Sequence, residues 1–273
     1  MTTDPRADAV ERNLAEFHRV LATSPLVTTG THPDVTSFRS GLPHPLFNDV
    51  VGARFTPGTE RARVEDTVAP FVEAGLPFLW WCGPSTWSEA LDRALTGIGA
   101  QREDSPGMHV AITADEPADP DDPADLDDPE ARAVPGLEIA LGTEASDRDV
   151  ARLMCEVFEI PGSLAAPLRD WMTVFDPACL VHAVASLDGE PVGCGSVWIT
   201  GRTAGIYNVA TLAHARRRGV GYAVTAALLR AGRARGCDES ILVASRMGRP
   251  VYERLGYVEV CTMPQYVWIP AGS

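Results

Sequence analysis

Sixteen consecutive residues, Asp115–Glu130 (DEPADPDDPADLDDPE), carry nine acids, four prolines and no base. A run of this kind has little to bury and cannot supply the interior of a helix or strand, so it is expected to be a stiff solvated linker. It divides the chain into residues 1–114, a linker over 115–133, and residues 134–273, and both flanking parts are of ordinary domain size. The same run holds most of the charge imbalance: of the formal net charge of −14, nine negative charges lie within it and only −5 remains elsewhere.

Composition removes several function classes. A hydrophobic fraction of 45% excludes full-length disorder. A globally acidic chain lacks the clustered cations that phosphate backbones and anionic membranes require, so no nucleic acid and no membrane is expected among its partners. All 23 basic residues are arginine, which rules out mechanisms built on a lysine Schiff base or on the lysine of a phosphate-binding P-loop. The first residues, MTTDPRADAVER, hold no apolar core behind a basic segment, and no stretch approaches the roughly 18 apolar residues of a membrane span, so a cytoplasmic location is expected. Cys82, Cys155, Cys179, Cys194, Cys237 and Cys261 are scattered without metal-ligand spacing. They read as buried free thiols, and no metal is expected.

In the N-terminal part, Asp4 and Pro5 start a helix carrying Val10, Leu14, Phe17 and Leu21 at helical spacing. An extended stretch over Phe47–Phe55, a helix over Glu60–Ala74, an apolar strand over Pro77–Cys82, a helix over Ser85–Leu95 and a strand over Met108–Ile112 follow. This alternation predicts an α/β layer structure. In the C-terminal part the pattern predicts a strand at Leu137–Leu141, helices over Asp147–Phe158 and Leu164–Phe175, and a hairpin of Leu180–Ser186 with Val192–Thr200 around Asp188-Gly189. A strand at Thr203–Val209, a long amphipathic helix over Val220–Arg235 and a buried strand at Ile241–Ala244 come next. A short helix over Pro250–Leu255 and a strand pair, Tyr257–Cys261 with Gln265–Ile269, close the chain.

The segment that bears on chemistry is AGIYNVATLAHARRRGVG, residues 204–221. A strand leads through a short irregular connection and three arginines to Gly219-Val220-Gly221 at the start of a helix. Glycine allows close approach of backbone to a ligand, and the first turn of a helix leaves N–H groups unpaired, so the two together can receive a pyrophosphate. Arginines at its mouth add charge-assisted bonds. The plain structural alternative is a solvated basic patch at a helix start.

The Arg-x-x-Gly-x-Gly pattern of Arg216–Gly221, between a strand and a long helix, resembles the acyl-CoA signature of the GNAT superfamily of N-acetyltransferases. The element order of residues 134–273 and the closing Val251-Tyr252-Glu253-Arg254-Leu255-Gly256-Tyr257 are similar to that family as well. The resemblance implies a GNAT-like mixed sheet flanked by helices, acetyl-CoA as co-substrate, and an amine of a small molecule or peptide as acceptor, with a homodimer left open. It implies that Val209, Ala210 and Thr211 splay from the neighbouring strand and pair with the pantetheine arm, the N–H of Val209 facing the thioester carbonyl. Such a donor is typically worth roughly 2.7–4 kcal/mol of barrier. The backbone from Arg217, Arg218, Gly219, Val220 and Gly221 to Tyr222 would hold the pyrophosphate, with Arg216, Arg217 or Arg218 near the phosphates of the nucleotide end. Tyr252 would protonate the departing thiolate, or else only pack its helix on the sheet with its hydroxyl satisfied at the edge.

Other roles stay open at this level. Tyr207 and Asn208 stand where the family often supplies a carboxylate, and neither is acidic. The acceptor's proton would leave through water or through Glu156, Glu159 or Asp170. His182 alternates with apolar residues and reads as a packed histidine, while His214 precedes the arginines within reach of a ligand. Residues 1–114 look like a degenerate GNAT-like copy, making two such domains in tandem, because Thr56-Pro57-Gly58-Thr59 replaces the phosphate loop and Pro57 lacks an amide. The function expected is an acyl-CoA-dependent N-acetyltransferase; the alternative is a non-catalytic acyl-CoA-binding sensor or scaffold.

Overall fold

The computed structural model describes residues 4–112, 134–142 and 144–271, so the linker expected over 115–133 lies outside the described residues. In chain order the elements are α1 (Pro5–Leu21), β1 (Thr28–Thr29), β2 (Thr36–Arg39), β3 (Asn48–Val51), α2 (Glu60–Glu73), β4 (Phe78–Trp81), α3 (Glu89–Gly97), β5 (Gln101–Ala111), β6 (Leu137–Leu141), α4 (Glu144–Val157), α5 (Ala165–Met172), β7 (Leu180–Leu187), β8 (Glu190–Thr200), β9 (Thr203–Thr211), α6 (Val220–Ala234), β10 (Glu239–Val243), α7 (Arg249–Glu253) and β11 (Val258–Trp268). They form two compact units, Met1–Gly107 with Val260–Ser273, and Met108–Glu259. Both are mixed α/β layers, the class that the alternating periodicities predict.

In the first unit the strands run in the order β1-β2-β3-β4-β11-β5. Parallel β3 and β4 are joined through α2, and β11 lies antiparallel to β4 with Tyr266 opposite Trp80. Val50, Val64, Phe78, Trp80, Leu95 and Tyr266 form the core. As predicted, Asp4 caps α1 by accepting from the Arg6 N–H at 2.9 Å, and Val10, Leu14, Phe17 and Leu21 are buried.

Three predictions for this unit shift. The helix expected from Ser85 starts at Glu89, because Ser88 Oγ caps it by accepting from Leu91 N–H at 3.1 Å. The residues before it turn around Glu11 instead, whose carboxylate accepts from Ser85 N–H at 2.9 Å and from the Ser85 and Thr86 hydroxyls at 2.8 Å each. The strand expected from Met108 begins at Gln101, where four exposed polar residues hide the periodicity. The strand pair expected at the end of the chain is one continuous strand, β11. Pro264 sits inside it without turning the chain, and its carbonyl accepts from Cys82 N–H at 2.8 Å.

Asp49 on β3 is a buried acid whose Oδ1 has no hydrogen-bond partner among the described residues. Burial holds its carboxyl well above the ordinary range, and Trp81 offsets this only in part. His18 Nε2 lies 3.8 Å from it, and burial pushes that imidazole down to about 4. Neutral His18 adds stability as pH rises from about 4 through 6.5, because an unfolded imidazole binds a proton there that the folded one does not. Asp49 acts in the opposite sense: above the carboxylate's ordinary value the folded chain retains a proton that the unfolded chain loses, so stability falls as pH rises. Each tenfold in proton affinity is worth about 1.4 kcal/mol. Asp49→Asn is therefore expected to be more stable than the parent at pH 8 and closest to it below pH 4, in urea titrations across that range. A variant less stable than the parent at pH 8 would refute this.

In the second unit the strands run β10-β9-β8-β7-β6, antiparallel except for β9 with β10. The two-residue turn Asp188-Gly189, with φ of 51° and 83°, closes the predicted hairpin and matches a turn needing two left-handed residues. Residues at the end of β5 lie against β10: Ile112 N–H donates to Asp238 C=O at 2.8 Å, and His109 Nε2 is 3.1 Å from Glu239. Adjacent residues of β8 face opposite ways. Cys194 meets the Val150 carbonyl of α4, whereas Cβ atoms added at Gly193 and Gly195 would strike Val220, Val224 and Leu228 of α6. The sheet is thus covered by α4 on one face and α6 on the other. Val220, Val224 and Leu228 of α6 are fully buried, each worth roughly 1.5–3 kcal/mol, and they fix where this helix begins.

Candidate active site

The site starts with an irregularity in β9. Cys194 pairs with Ala210 but Ser196 pairs with Tyr207, so β9 spends one residue more than β8 over this interval. The extra residue bulges at Asn208, whose φ is +58°. On the other side, the parallel ladder with β10 ends at Ile206 opposite Leu242. Residues 207–211 therefore stay with β8 while leaving β10, and Val209, Ala210 and Thr211 lie outside the β10 ladder. A strand end of this kind can take an extended ligand as an added strand.

Beyond β9, Leu212 N–H donates to Val192 C=O at 2.8 Å, and one tight turn, Ala213–Ala215, carries His214 to the surface. The chain then takes left-handed φ values at Arg217 (+62°) and Gly219 (+84°) before α6 begins. At Gly219 this conformation costs little, whereas at Arg217 it costs roughly 1–2 kcal/mol. No described residue accepts a hydrogen bond from the N–H of Arg217, Arg218, Gly219, Val220 or Gly221; past them, Ala223 N–H donates to Gly219 C=O at 3.0 Å. Arg216 Nε donates to Thr211 C=O at 3.1 Å. Arg217 and Arg218 are exposed, with no ion pair to any described residue. A Cβ added at Gly221 would find only Thr211 Oγ1, at 3.8 Å. Unpaired amides, the positive end of a 15-residue helix and two free guanidiniums make a receptor for a multiply charged anion.

Tyr252 on α7 is buried, its ring edge-on to Tyr257 at 6.1 Å. Gly248 makes room for it: a Cβ there would lie 2.9 Å from Tyr252 Cε2. The two tyrosines of the closing motif differ in their hydroxyls. Tyr257 Oη is 2.6 Å from Ser240 Oγ, while Tyr252 Oη makes no hydrogen bond to a described residue and is not sealed from solvent. Burial pushes the Tyr252 phenol up to about 12, so it is protonated throughout the neutral range. Val220 and Tyr252 belong to the core of the second unit, and Val209 and Tyr222 pack against that core. Glu156, Glu159 and Asp170 are exposed; Asp170 is held by Arg169 at 2.7 Å.

Two residues near the bulge escaped sequence reading. Cys194 Sγ lies 3.7 Å from the Asn208 carbonyl, its thiol pushed up to about 12 by burial. Ser196 Oγ lies 2.7 Å from His182 Nδ1, both buried, and burial lowers the His182 imidazole against the pull of Asp147. Period-two alternation along β8 puts Cys194 and Ser196 on one face, but the partner strand cannot be known from that alone. Among the described residues no group of three or more His, Cys, Asp or Glu side chains could hold a metal ion, and no helix is long and apolar enough to cross a membrane.

Residues 148–257 match the sequence model of the acetyltransferase (GNAT) family. No curated protein matches the chain in sequence. Among solved structures, a GCN5-related N-acetyltransferase from Kribbella flavida is 18% identical with a TM-score of 0.63, covering 97% of this chain and 96% of its own. One from Sphaerobacter thermophilus is 17% identical with a TM-score of 0.59, covering 98% and 96%. A tandem GNAT protein from the clavulanic acid biosynthesis pathway is 15% identical with a TM-score of 0.58, covering 99% and 96%. At these identities the likeness is one of fold, and it extends over nearly the whole chain.

Proposed function

With residues 148–257 forming a domain of the acetyltransferase (GNAT) family, we propose that the chain is an acetyl-CoA-dependent N-acetyltransferase acting on an amine of a small molecule or peptide. The observation that carries this reading is the row of unpaired amides from Arg217 to Gly221, with open space at Gly221. These amides and Tyr222 would hold the diphosphate, with Arg216, Arg217 and Arg218 beside the nucleotide phosphates. When bound, acetyl-CoA supplies an acetyl group activated as a thioester. The bulged end of β9 offers Val209, Ala210 and Thr211 to the pantetheine arm, and the Val209 N–H is the donor for the carbonyl oxygen. Tyr252 Oη holds the proton that the sulfur takes. The thiol nearest the bulge, Cys194, is kept protonated and is no nucleophile at neutral pH, which favours direct transfer to the amine.

Residues 134–273 would supply the cofactor site, and residues 1–114 a copy without one. In the first unit's counterpart loop two amides are filled, which favours this division: Gly58 N–H donates to the Glu60 carboxylate at 2.8 Å and Thr59 N–H to Thr56 C=O at 3.0 Å.

Titration calorimetry with acetyl-CoA tests the reading, and no heat at hundred-micromolar protein would refute it. Tyr252→Phe is expected to leave the acetyl-CoA dissociation constant unchanged and to lower kcat about 100-fold, the low end of general-acid contributions. A weakened dissociation constant with unchanged kcat would show a packing role instead. The exposure of Glu156, Glu159 and Asp170 favours a second reading, an acyl-CoA-binding sensor without turnover. Thiol release from acetyl-CoA over a panel of amines separates the two, since a sensor releases none.

A further inference from the structure

A cavity of about 570 Å³ lies inside the second unit, between α4, α5 and the start of β7. Met154, Leu168, Met172 and Phe175 form most of its apolar wall, Asp147, Arg148, Arg169 and Thr173 also line it, and one buried polar ring, His182, joins them. The ring is tied on one side only. His182 Nδ1 meets Ser196 Oγ at 2.7 Å, and Nε2 has no hydrogen bond to any described residue although the residue is 8% exposed. Nε2 is open to the hollow and can give a bound molecule one hydrogen bond. A hollow with apolar walls and a few convergent polar groups is the usual form of a small-molecule site.

The cavity borders the bulged strand. Val150 lines it, and the Cys194 thiol lies between the Val150 carbonyl at 4.0 Å and the Asn208 carbonyl at 3.7 Å, so one side chain separates the wall from the bulge. His182, Ser196 and Tyr207 are successive cross-strand neighbours and face the same side of the sheet. The charged residues of the lining are Arg148, Arg169 and Asp147. Arg169 is taken up by Asp170, whereas Arg148 has no ion pair with a described residue. With Asp170 counted these charges balance, so the lining offers a polycation no cluster of acids.

We propose that this cavity receives the acceptor, and that the acceptor is a monoamine carrying an apolar body of about one aromatic ring, in preference to a polyamine or an amino sugar. The inference rests on the transferase reading above and specifies its substrate class. The apolar body fills the space among Met154, Leu168, Met172 and Phe175, and the amine end emerges toward Asn208 and Val209.

The experiment follows the methionine methyl resonances of the full chain, labelled with carbon-13, during titration with phenethylamine, with and without coenzyme A. Met154 and Met172 are assigned by their leucine variants. Their resonances are expected to shift and saturate, while those of Met108 and Met263, buried elsewhere, stay in place. Spermidine and kanamycin are expected to leave all four unmoved. Ala151→Phe, which fills the hollow from α4, is expected to raise the phenethylamine dissociation constant at least 10-fold without changing coenzyme A affinity; Met172→Phe replaces it should that variant not fold. Unmoved Met154 and Met172 at millimolar phenethylamine, or a lower KM for spermidine than for phenethylamine, would overturn the inference. Because the amine titration is also run without cofactor, a failure of coenzyme A binding would sink the transferase reading separately from the cavity.

Discussion

Replacing Gly221 with aspartate is expected to raise the acetyl-CoA dissociation constant at least 100-fold while leaving the fold intact. Space is not the obstacle, because a Cβ at this position meets nothing closer than Thr211 Oγ1 at 3.8 Å. The helix itself gains: glycine in a helix costs roughly 0.5–1 kcal/mol relative to alanine, and an acid in the first turn complements the macrodipole. The carboxylate would occupy the amides that the diphosphate needs and set like charge against it, a juxtaposition worth several kcal/mol, where about 2.7 kcal/mol is 100-fold. Gly221→Ala separates charge from bulk, and is expected to bind acetyl-CoA nearly as well as the parent and to melt slightly higher. Calorimetry and thermal unfolding on the three proteins check this. An aspartate variant that binds normally would show that the phosphates sit elsewhere.

Gly193→Val is the second large effect, and it acts on the framework. A Cβ at Gly193 would lie 2.5 Å from Val220 Cγ1 and 3.1 Å from the Ala210 carbonyl, one neighbour at the start of α6 and the other on β9. Side chain can yield, but the carbonyl belongs to the paired strand, so relief must come from lifting α6. Overpacking of this kind costs typically about 1–3 kcal/mol, a large share of the roughly 5–15 kcal/mol that holds a domain together. The expected result is a lower denaturation midpoint together with weakened acetyl-CoA binding, because the lifted turn carries the amides. Unchanged stability would mean that α6 has freedom its buried Val220 and Val224 do not suggest.

What could be read from the amino-acid order divides along physical lines. The strand, arginine loop and helix of residues 203–234 were legible because each signal is local: alternation up to Val209, a left-handed glycine at 219, and a helical stripe of Val220, Val224 and Leu228. The hairpin at Asp188-Gly189 was legible for the same reason. Pairings between distant segments were not. The break expected between Cys261 and Gln265 is absent, because in β11 the missing amide of Pro264 is tolerated and its carbonyl still serves Cys82. The Asn208 bulge depends on register against β8, which no local pattern announces. Ser196 gained meaning only when β7 placed His182 opposite it, and the hollow beneath α4 and α5 is a property of packing that leaves no trace in periodicity.

The return of Val260–Ser273 to the first unit bears on the order in which the molecule can be made. Tyr266 is wholly buried there, opposite Trp80 in the middle of that core. A ribosome delivers Trp80 almost two hundred residues before its neighbour. Until then β4 exposes an apolar edge, a surface on which nascent chains and chaperones meet, so the half synthesised first is the half completed last.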